Sequence, residues 1–518
     1  MPLGRLLQLE RGTALQDALF TNGVEFPCGG RGRCKGCRIK LLSGTLPITP
    51  DDLSRLTTAE LSQGWRLACR ATAESDLKIE LAQWESPILS DDSPFRFEPR
   101  EGLGVAVDLG TTTIVAQLLD LRTGRVLAVA TALNEQAKRG ADVMSRIEFA
   151  MRDQGQLTLQ KLIRTQIGQL ILELLKSATS AATLSCREFS LSPFEGESSA
   201  VRGIFADAKL ESIVLVGNTV MHHLFSGISV EPLSHYPFES LSPDLQIFSS
   251  SDLGWNLPGN PNVYFLPCLG GFVGSDILAG ILATGLHERD AAAILIDLGT
   301  NGEIVVGNRD SLLCAATAAG PAFEGARISM GMRAATGAIS RVEVVGGQIQ
   351  CHVLGNTSPR GICGSGLVDA AAAGLEMGWL LPNGRLAGNH PVVLAPPVTI
   401  SQGDVRELQL AKGAIAAGVR LLLEAWGPVP EQSVQVFLAG AFGNYINQGN
   451  AQRICFLRFP LESIRAVGNT ALLGAKMALF NLPHQELTYG GILKKTTHIS
   501  LNELPGFQEA YVEEMGFG

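Results

Sequence analysis

Residues 105–131 read VAVDLGTTTIVAQLLDLRTGRVLAVAT, and residues 292–317 read AAILIDLGTNGEIVVGNRDSLLCAAT. Each stretch is an apolar, β-rich run, a Gly-Thr turn, a second run and, after a polar break, a third strand. The break in the first copy is Arg122-Thr123-Gly124. The shared Asp-Leu-Gly-Thr places Asp297 189 positions after Asp108. Four letters can coincide by chance, but the matching flanks and third strand make the pair read as a duplicated architecture. Between the copies, Leu162, Ile163, Ile167, Leu170, Ile171 and Leu174 form a helical stripe, read as a core-facing helix. Further on, SVQVFLAGAFGNYIN reads as a buried strand entering a Gly-rich turn, and AVGNTALLGAKMAL as a turn entering a helix.

The chain around these runs is globular. At 518 residues it holds roughly three or four domain-sized cores. Hydrophobic residues make up 46%, charged residues 18%, and the mean hydropathy is +0.19, which excludes wholesale disorder. Lys and Arg number 41 against 50 Asp and Glu, a net charge of −9, so general nucleic-acid binding is a poor fit. No apolar run approaches the roughly 18 residues of a membrane span. The N-terminal MPLGRLLQLERGTALQDAL lacks the apolar core of a signal peptide, so a cytoplasmic location is expected.

Cysteine usage divides the chain. Six of the ten cysteines stand alone and read as small buried hydrophobes. The other four, Cys28, Cys34, Cys37 and Cys69, fall in PCGGRGRCKGC and WRLACRA. Three thiolates on one loop and a fourth from a distant strand suit a 2Fe–2S cluster. Gly29, Gly30, Gly32 and Gly36 let backbone N–H groups approach the sulfides. Zinc is the competing ligand set, though its sites favour paired C-x2-C knuckles and only one is present. Arg31, Arg33, Lys35, Arg38 and Lys40 crowd the loop, either as a solvated rim or as a docking surface for an acidic partner. Residues 1–85 read as one unit, and the proline-rich, aperiodic 86–102 as a linker before 103–518. The first unit resembles plant- and adrenodoxin-type ferredoxins, which implies a β-grasp fold carrying one electron at a time.

The chain has no P-loop, and no G-x-G-x-x-G between a strand and a helix. What remains is the repeated Asp-Leu-Gly-Thr. Such turns aim N–H and hydroxyl groups at phosphate oxygens. The aspartate before each can hold Mg²⁺ through water. Two facing turns would clamp one triphosphate.

The arrangement resembles the acetate and sugar kinase, chaperone ATPase and actin superfamily, which implies a two-lobed, RNase H-like ATPase over 103–518. Asp108, Gly110, Thr111, Thr112 and Thr113 match its first phosphate loop. Asp297, Gly299, Thr300, Asn301 and Gly302 match the second. FLAGAFG, with Gly440 and Gly443, matches the adenosine turn, and Gly468, Asn469 and Thr470 fall where the second connecting helix begins. Asp108 and Asp297 are thereby the catalytic candidates. No general base stands out. Glu303 is one candidate, with a solvated or structural glutamate the simpler reading.

A ferredoxin fused to such an ATPase resembles the ATP-dependent reductive activators of corrinoid proteins. NEQAKRGADVMSRI, LVGNTVMHHLF, AGPAFEGARIS, GICGSGLVDA and LPGFQEAYVEEM extend the likeness along nearly the whole chain. It implies electron delivery from the cluster to an inactive Co(II) corrinoid protein of a methyltransferase or demethylase, restoring Co(I) with ATP. An upstream reductase would feed the cluster. A homodimer is left open, because a small domain that some members carry after the linker is missing here. His222 and His223 are expected to pack rather than bind metal. Two alternatives stand beside this: a small-molecule kinase with an accessory ferredoxin, and a plain electron carrier.

Overall fold

The structure is a computed structural model; it describes residues 6–20, 24, 32, 37–81, 93–188, 209–299, 301–388, 390–428, 433–481 and 489–518. Within 6–81 the strands are short: β1 (Thr13–Ala14), β2 (Arg38–Ser43), β3 (Trp65–Leu67), β4 (Thr72–Ala73) and β5 (Lys78–Leu81). β2 lies between β3 and β5, antiparallel to both, and β1 pairs with β4. Leu15, Leu19, Ile39, Leu46, Leu56 and Leu67 form the centre of this small core. A buried carboxylate reinforces it. Asp52 is 1% exposed and accepts the backbone N–H of Leu67 at 2.8 Å and of Thr49 at 2.8 Å. These charge-assisted bonds lock the helix Pro50–Arg55 to β3.

The first large sheet contains β6 (Leu103–Leu109), β7 (Thr113–Asp120), β8 (Val126–Leu133), β9 (Leu210–Gly217), β10 (Gln246–Ser249) and β11 (Asn262–Phe265). The second begins with β12 (Ala293–Leu298), β13 (Gly302–Gly307) and β14 (Leu312–Thr317). A small sheet of β15 (Ala338–Val345), β16 (Gln348–Val353) and β17 (Gly361–Ile362) follows, then the hairpin of β18 (Val392–Ala395) and β19 (Val398–Ile400). β20 (Gln435–Ala439), β21 (Ile464–Gly468) and β22 (Thr496–His498) complete the second sheet.

The duplication is real at the level of topology. In the first sheet β6, β7 and β8 form an antiparallel meander, β9 lies parallel to β6, and β11 parallel to β9. In the second, β12, β13 and β14 form the meander, β20 lies parallel to β12, and β21 parallel to β20. Both central strands are buried almost throughout, as parallel strands covered on two faces must be. The helix Gly155–Glu188 covers the outer face of the first sheet with Ile163, Ile167, Ile171 and Leu174. The helices Gly364–Met377 and Gln402–Trp426 cover the second.

Between the sheets lies one shared core, built from both inner faces and two connecting helices, Ser275–Thr284 and Thr470–Asn481. Small residues allow the helices to cross closely: a Cβ on Gly474 would stand 2.0 Å from the Ala279 carbonyl oxygen. Residues 93–102, expected as part of a linker, are not a loose tether. Phe95 and Phe97 pack on Phe480 at 5.4 and 4.5 Å between ring centres, and Arg100 donates to the Leu479 carbonyl at 3.0 Å. At the far side of the second lobe, the buried Lys412 ammonium donates to the carbonyls of Ile454 (2.9 Å), Cys455 (3.2 Å) and Gly516 (2.5 Å). Burial pushes this lysine down to about 8.

Candidate functional site

The first Gly-Thr turn joins β6 to β7. The Gly110 N–H donates to the Thr113 carbonyl at 3.0 Å, and a Cβ on Gly110 would stand 2.6 Å from that oxygen. The turn's outward groups are held from behind. Asn134 Nδ2 donates to the Gly110 carbonyl (3.0 Å), its backbone N–H to the Thr112 carbonyl (2.8 Å), and Asn218 Nδ2 to Thr111 Oγ1 (2.8 Å). The buried Arg146 guanidinium donates to the Thr111 carbonyl. Among the described residues, the N–H groups of Thr111 and Thr112 have no protein acceptor. Free N–H groups on a Gly-Thr turn fit an anion such as a phosphate.

The second turn joins β12 to β13, where the Gly299 N–H donates to the Asn301 carbonyl at 3.1 Å. Thr300 lies outside the described residues. Gly302 is needed for packing, since a Cβ there would stand 2.7 Å from Ile415 Cγ1. The third turn follows β20. Gly440 has φ +82°, and a Cβ on it would stand 2.7 Å from Asp297 Oδ1 and 2.8 Å from the Leu298 carbonyl. Gly443 lies against Leu438, and Phe442 beside it stacks on Phe323 at 4.4 Å.

Both aspartates are half-buried between the lobes. Asn469, ahead of the second connecting helix, donates to Asp108 Oδ2 at 2.9 Å, so the lobes are joined at this carboxylate. Burial raises Asp108 to about 6 despite that bond. Burial and the nearby Asp108 charge raise Asp297 to about 7. Sequence reasoning missed a third carboxylate, Asp276, in the first turn of the helix Ser275–Thr284. Burial, then the charges of Asp297 and Asp108, push it up to about 8. A fourth, Glu303, pairs with Asp297 across β12 and β13. It is 8% exposed rather than solvated, and burial with the Asp276 and Asp297 charges holds it well above the usual range. Among the described residues none of the four has an ion-pair partner. Among the described residues no three such side chains stand close enough to hold a metal ion between them, so these carboxylates fit a hard divalent cation held through its water shell rather than by direct ligation.

His222 and His223 pack as expected. Their Nδ1 atoms lie 3.2 Å apart, His223 Nε2 meets Ser240 Oγ at 2.9 Å, and burial lowers the rings to about 3 and about 4.

In the N-terminal unit, the β2–β3 register brings two distant cysteines together. Arg38 faces Leu67, and the Ala68 N–H donates to the Cys37 carbonyl at 3.0 Å. Cys37 is buried, and Cys69 packs against the same core. Gly32, at φ +67°, lies beside the Asp51–Arg70 ion pair: its Cβ would stand 2.6 Å from Asp51 Oδ2. Gly32 thus lies beside Arg70, the neighbour of Cys69 in sequence. Cys28 and Cys34 lie outside the described residues, as do Arg31, Arg33 and Lys35. Of the basic rim that is described, Arg38 is engaged internally, pairing with Glu60 at 2.9 Å over the Trp65 ring.

Comparison with known proteins agrees with this fold. Residues 3–74 match the 2Fe-2S iron-sulfur cluster binding domain. Residues 103–186 and 199–289 match the RACo middle region, and 291–518 the C-terminal domain of RACo, the ASKHA domain. The corrinoid activation enzyme RamQ of Eubacterium limosum is 35% identical over 447 residues, which are 80% of this chain and 70% of that protein. A [Co(II) methylated amine-specific corrinoid protein] reductase of Methanosarcina barkeri is 25% identical over 452 residues, 80% of this chain and 77% of that one. A solved structure of a reductive activator for corrinoid, iron-sulfur protein is 26% identical, with a TM-score of 0.66 over 99% of this chain and 96% of the other. A ferredoxin-type domain followed by a duplicated ATPase-type fold, together with these relatives, shows that the chain belongs to the family of reductive activators of corrinoid proteins.

Proposed function

We propose that this protein uses ATP to drive an electron from a 2Fe–2S cluster into an inactive Co(II) corrinoid protein, returning it to Co(I). The observation that carries the ATP half is the pair of Gly-Thr turns, with Asp108 held by Asn469 from the opposite lobe and Asp297 paired in register with Glu303. In this reading Thr111 and Thr112 offer N–H groups to one end of the phosphate chain, and the second turn, with Gly299, Thr300 and Asn301, to the other. Gly440 and Gly443 leave room for the adenosine. Mg²⁺ bound by the aspartates would neutralise phosphate charge and position water. Asp108 and Asp297 would hold that metal through water, and Asn469 holds Asp108 from the opposite lobe.

In the N-terminal unit Cys28, Cys34, Cys37 and Cys69 would hold the cluster, which supplies one electron at a time. Each 59 mV uphill corresponds to about 1.4 kcal/mol for one electron. ATP binding and hydrolysis would act by changing the populations of lobe arrangements, not by pushing the electron. An upstream reductase refills the cluster. No described helix is long and apolar enough to cross a membrane, and we place the protein in the cytoplasm.

The test mixes cluster-loaded protein, a reductant and a Co(II) corrinoid protein, and follows the cobalt spectrum with and without Mg-ATP. Co(I) appearing only with ATP supports the proposal. Co(I) at equal rates without ATP, or phosphorylation of a small substrate instead, overturns it.

A further inference from the structure

The stretch 134–146 was singled out by resemblance but has no place in the chemistry above. In the structure it faces two ways. One side holds the first Gly-Thr turn. Asn134 binds the Gly110 and Thr112 carbonyls, and Arg146 binds the Thr111 carbonyl. Arg146 is fully buried and is itself braced by the Gly140 carbonyl at 2.9 Å and Gln136 Oε1 at 3.2 Å. A buried guanidinium with its donors on carbonyls fixes backbone geometry tightly.

The other side holds the ferredoxin-type unit. Ala137, three residues from Asn134, belongs to the same apolar cluster as Ile39, Leu67 and Cys37, and Leu133 packs on it from the end of β8. The ferredoxin-type core is therefore completed by side chains of the first lobe. The second lobe touches the same unit elsewhere: Arg360 Nη2 pairs with Glu80 Oε1 of β5 at 2.5 Å. The unit thus touches both lobes, and the contact at Ala137 is within three residues of the side chain that holds the Gly110 carbonyl.

We propose that the segment 134–146 couples the seating of the ferredoxin-type unit to nucleotide binding, with Asn134 and Arg146 as positioning residues. The inference rests on the nucleotide reading above. Seating orders Ala137 and so orders Asn134 and the turn. An unseated unit leaves the turn less well held, and nucleotide binds more weakly. Coupling is reciprocal, so nucleotide also strengthens the seating.

The test uses the full-length, cluster-loaded protein and ADP with Mg²⁺. Calorimetry gives the dissociation constant, and hydrogen exchange reports on Lys78–Leu81 with and without nucleotide. Ala137→Asp, which puts a charge into the apolar contact, should weaken ADP binding at least fivefold, within the range of typical couplings. It should also abolish a nucleotide-dependent slowing of exchange at Lys78–Leu81 that the wild type shows. Because Ala137→Asp could damage the fold, Glu80→Arg gives a second, surface perturbation. It should weaken ADP binding likewise, and Glu80→Arg with Arg360→Glu should restore it. Wild-type protein that binds no ADP refutes the nucleotide reading and this coupling with it. Wild-type binding that changes less than fivefold in both single variants, with exchange at Lys78–Leu81 indifferent to nucleotide, overturns the coupling alone.

Discussion

Replacing Asp297 by Asn should make the cation-free protein more stable at alkaline pH. Asp297 is half-buried, and its desolvation with the Asp108 charge raises it from 3.8 to about 7. A carboxyl raised on folding binds its proton more tightly in the native state. Its contribution is therefore fully present below the unfolded value and is lost as pH rises toward the folded one. Between pH 5 and pH 8 the unfolded chain is already ionised while the native group ionises near 7. At about 1.4 kcal/mol per pH unit over roughly two units, the wild type loses on the order of 3 kcal/mol in this window from Asp297 alone. Asp276, raised to about 8 in part by Asp297, adds to the loss and is relieved by the same substitution. Asn keeps the shape and removes the charge. The assay is thermal unfolding in a chelator from pH 5 to pH 8, wild type against Asp297→Asn, followed by the transition of the large lobes. The wild type should lose several degrees across the range, and the variant much less. Adding Mg²⁺ should flatten the wild-type profile, because a bound cation favours the ionised carboxylates. Parallel profiles for the two proteins, or a wild type unaffected by Mg²⁺, would refute the account of the cleft as a set of mutually repelling carboxylates.

Cys37→Ser and Cys69→Ser should each remove most visible iron–sulfur absorbance, while Cys314→Ser, at a fully buried site in the second sheet, should leave it intact. Iron analysis checks this, and stoichiometric zinc without iron would defeat it. Gly440→Ala should weaken Mg-ATP binding about tenfold, since a left-handed backbone costs about 1–2 kcal/mol for a residue with a Cβ and that Cβ would press on Asp297; calorimetry measures it. Gly474→Val should force the connecting helices apart at the Ala279 carbonyl, lowering stability by about 1–3 kcal/mol. ATP turnover should fall further than ATP affinity, as steady-state kinetics would show, with cluster absorbance unchanged.

The parts of the site that were legible in the sequence are those carried by local pattern. A strand, a Gly-Thr turn and a strand can be read without knowing what they face, so Asp108 and Asp297 were found along with their turns. Asn469 was found as the start of a helix, though not as the partner of Asp108. Asp276 had no such signal. It follows a glycine-rich loop, and it matters only because its helix crosses the second connecting helix beside both turns. Glu303 reads as a candidate base and more simply as a solvated or structural glutamate, and its burial excludes only the solvated reading. The better clue was its place at the head of a strand otherwise apolar on both faces, directly after the turn, where the pleat points it at Asp297. Phe95 and Phe97 were read as linker since prolines and charges surround them. Their partner, Phe480, lies nearly four hundred residues away, and no local rule reaches it.

Lys412 is synthesised 104 positions before the Gly516 carbonyl it binds. On a growing chain its ammonium must therefore stay near water, or be buried short of an acceptor, until almost the last residues have been made. The strand β22 also arrives late to cover the edge of β14. The first lobe faces no such delay, because all its strands lie between residues 103 and 265. Vectorial synthesis thus gives a finished first lobe that carries the helix Ser275–Thr284 with its apolar inner face still bare, waiting for Thr470–Asn481. Domains that fold in N-to-C order expose such faces to aggregation. The nascent form of this protein, more than the mature one, is where a chaperone would find something to hold.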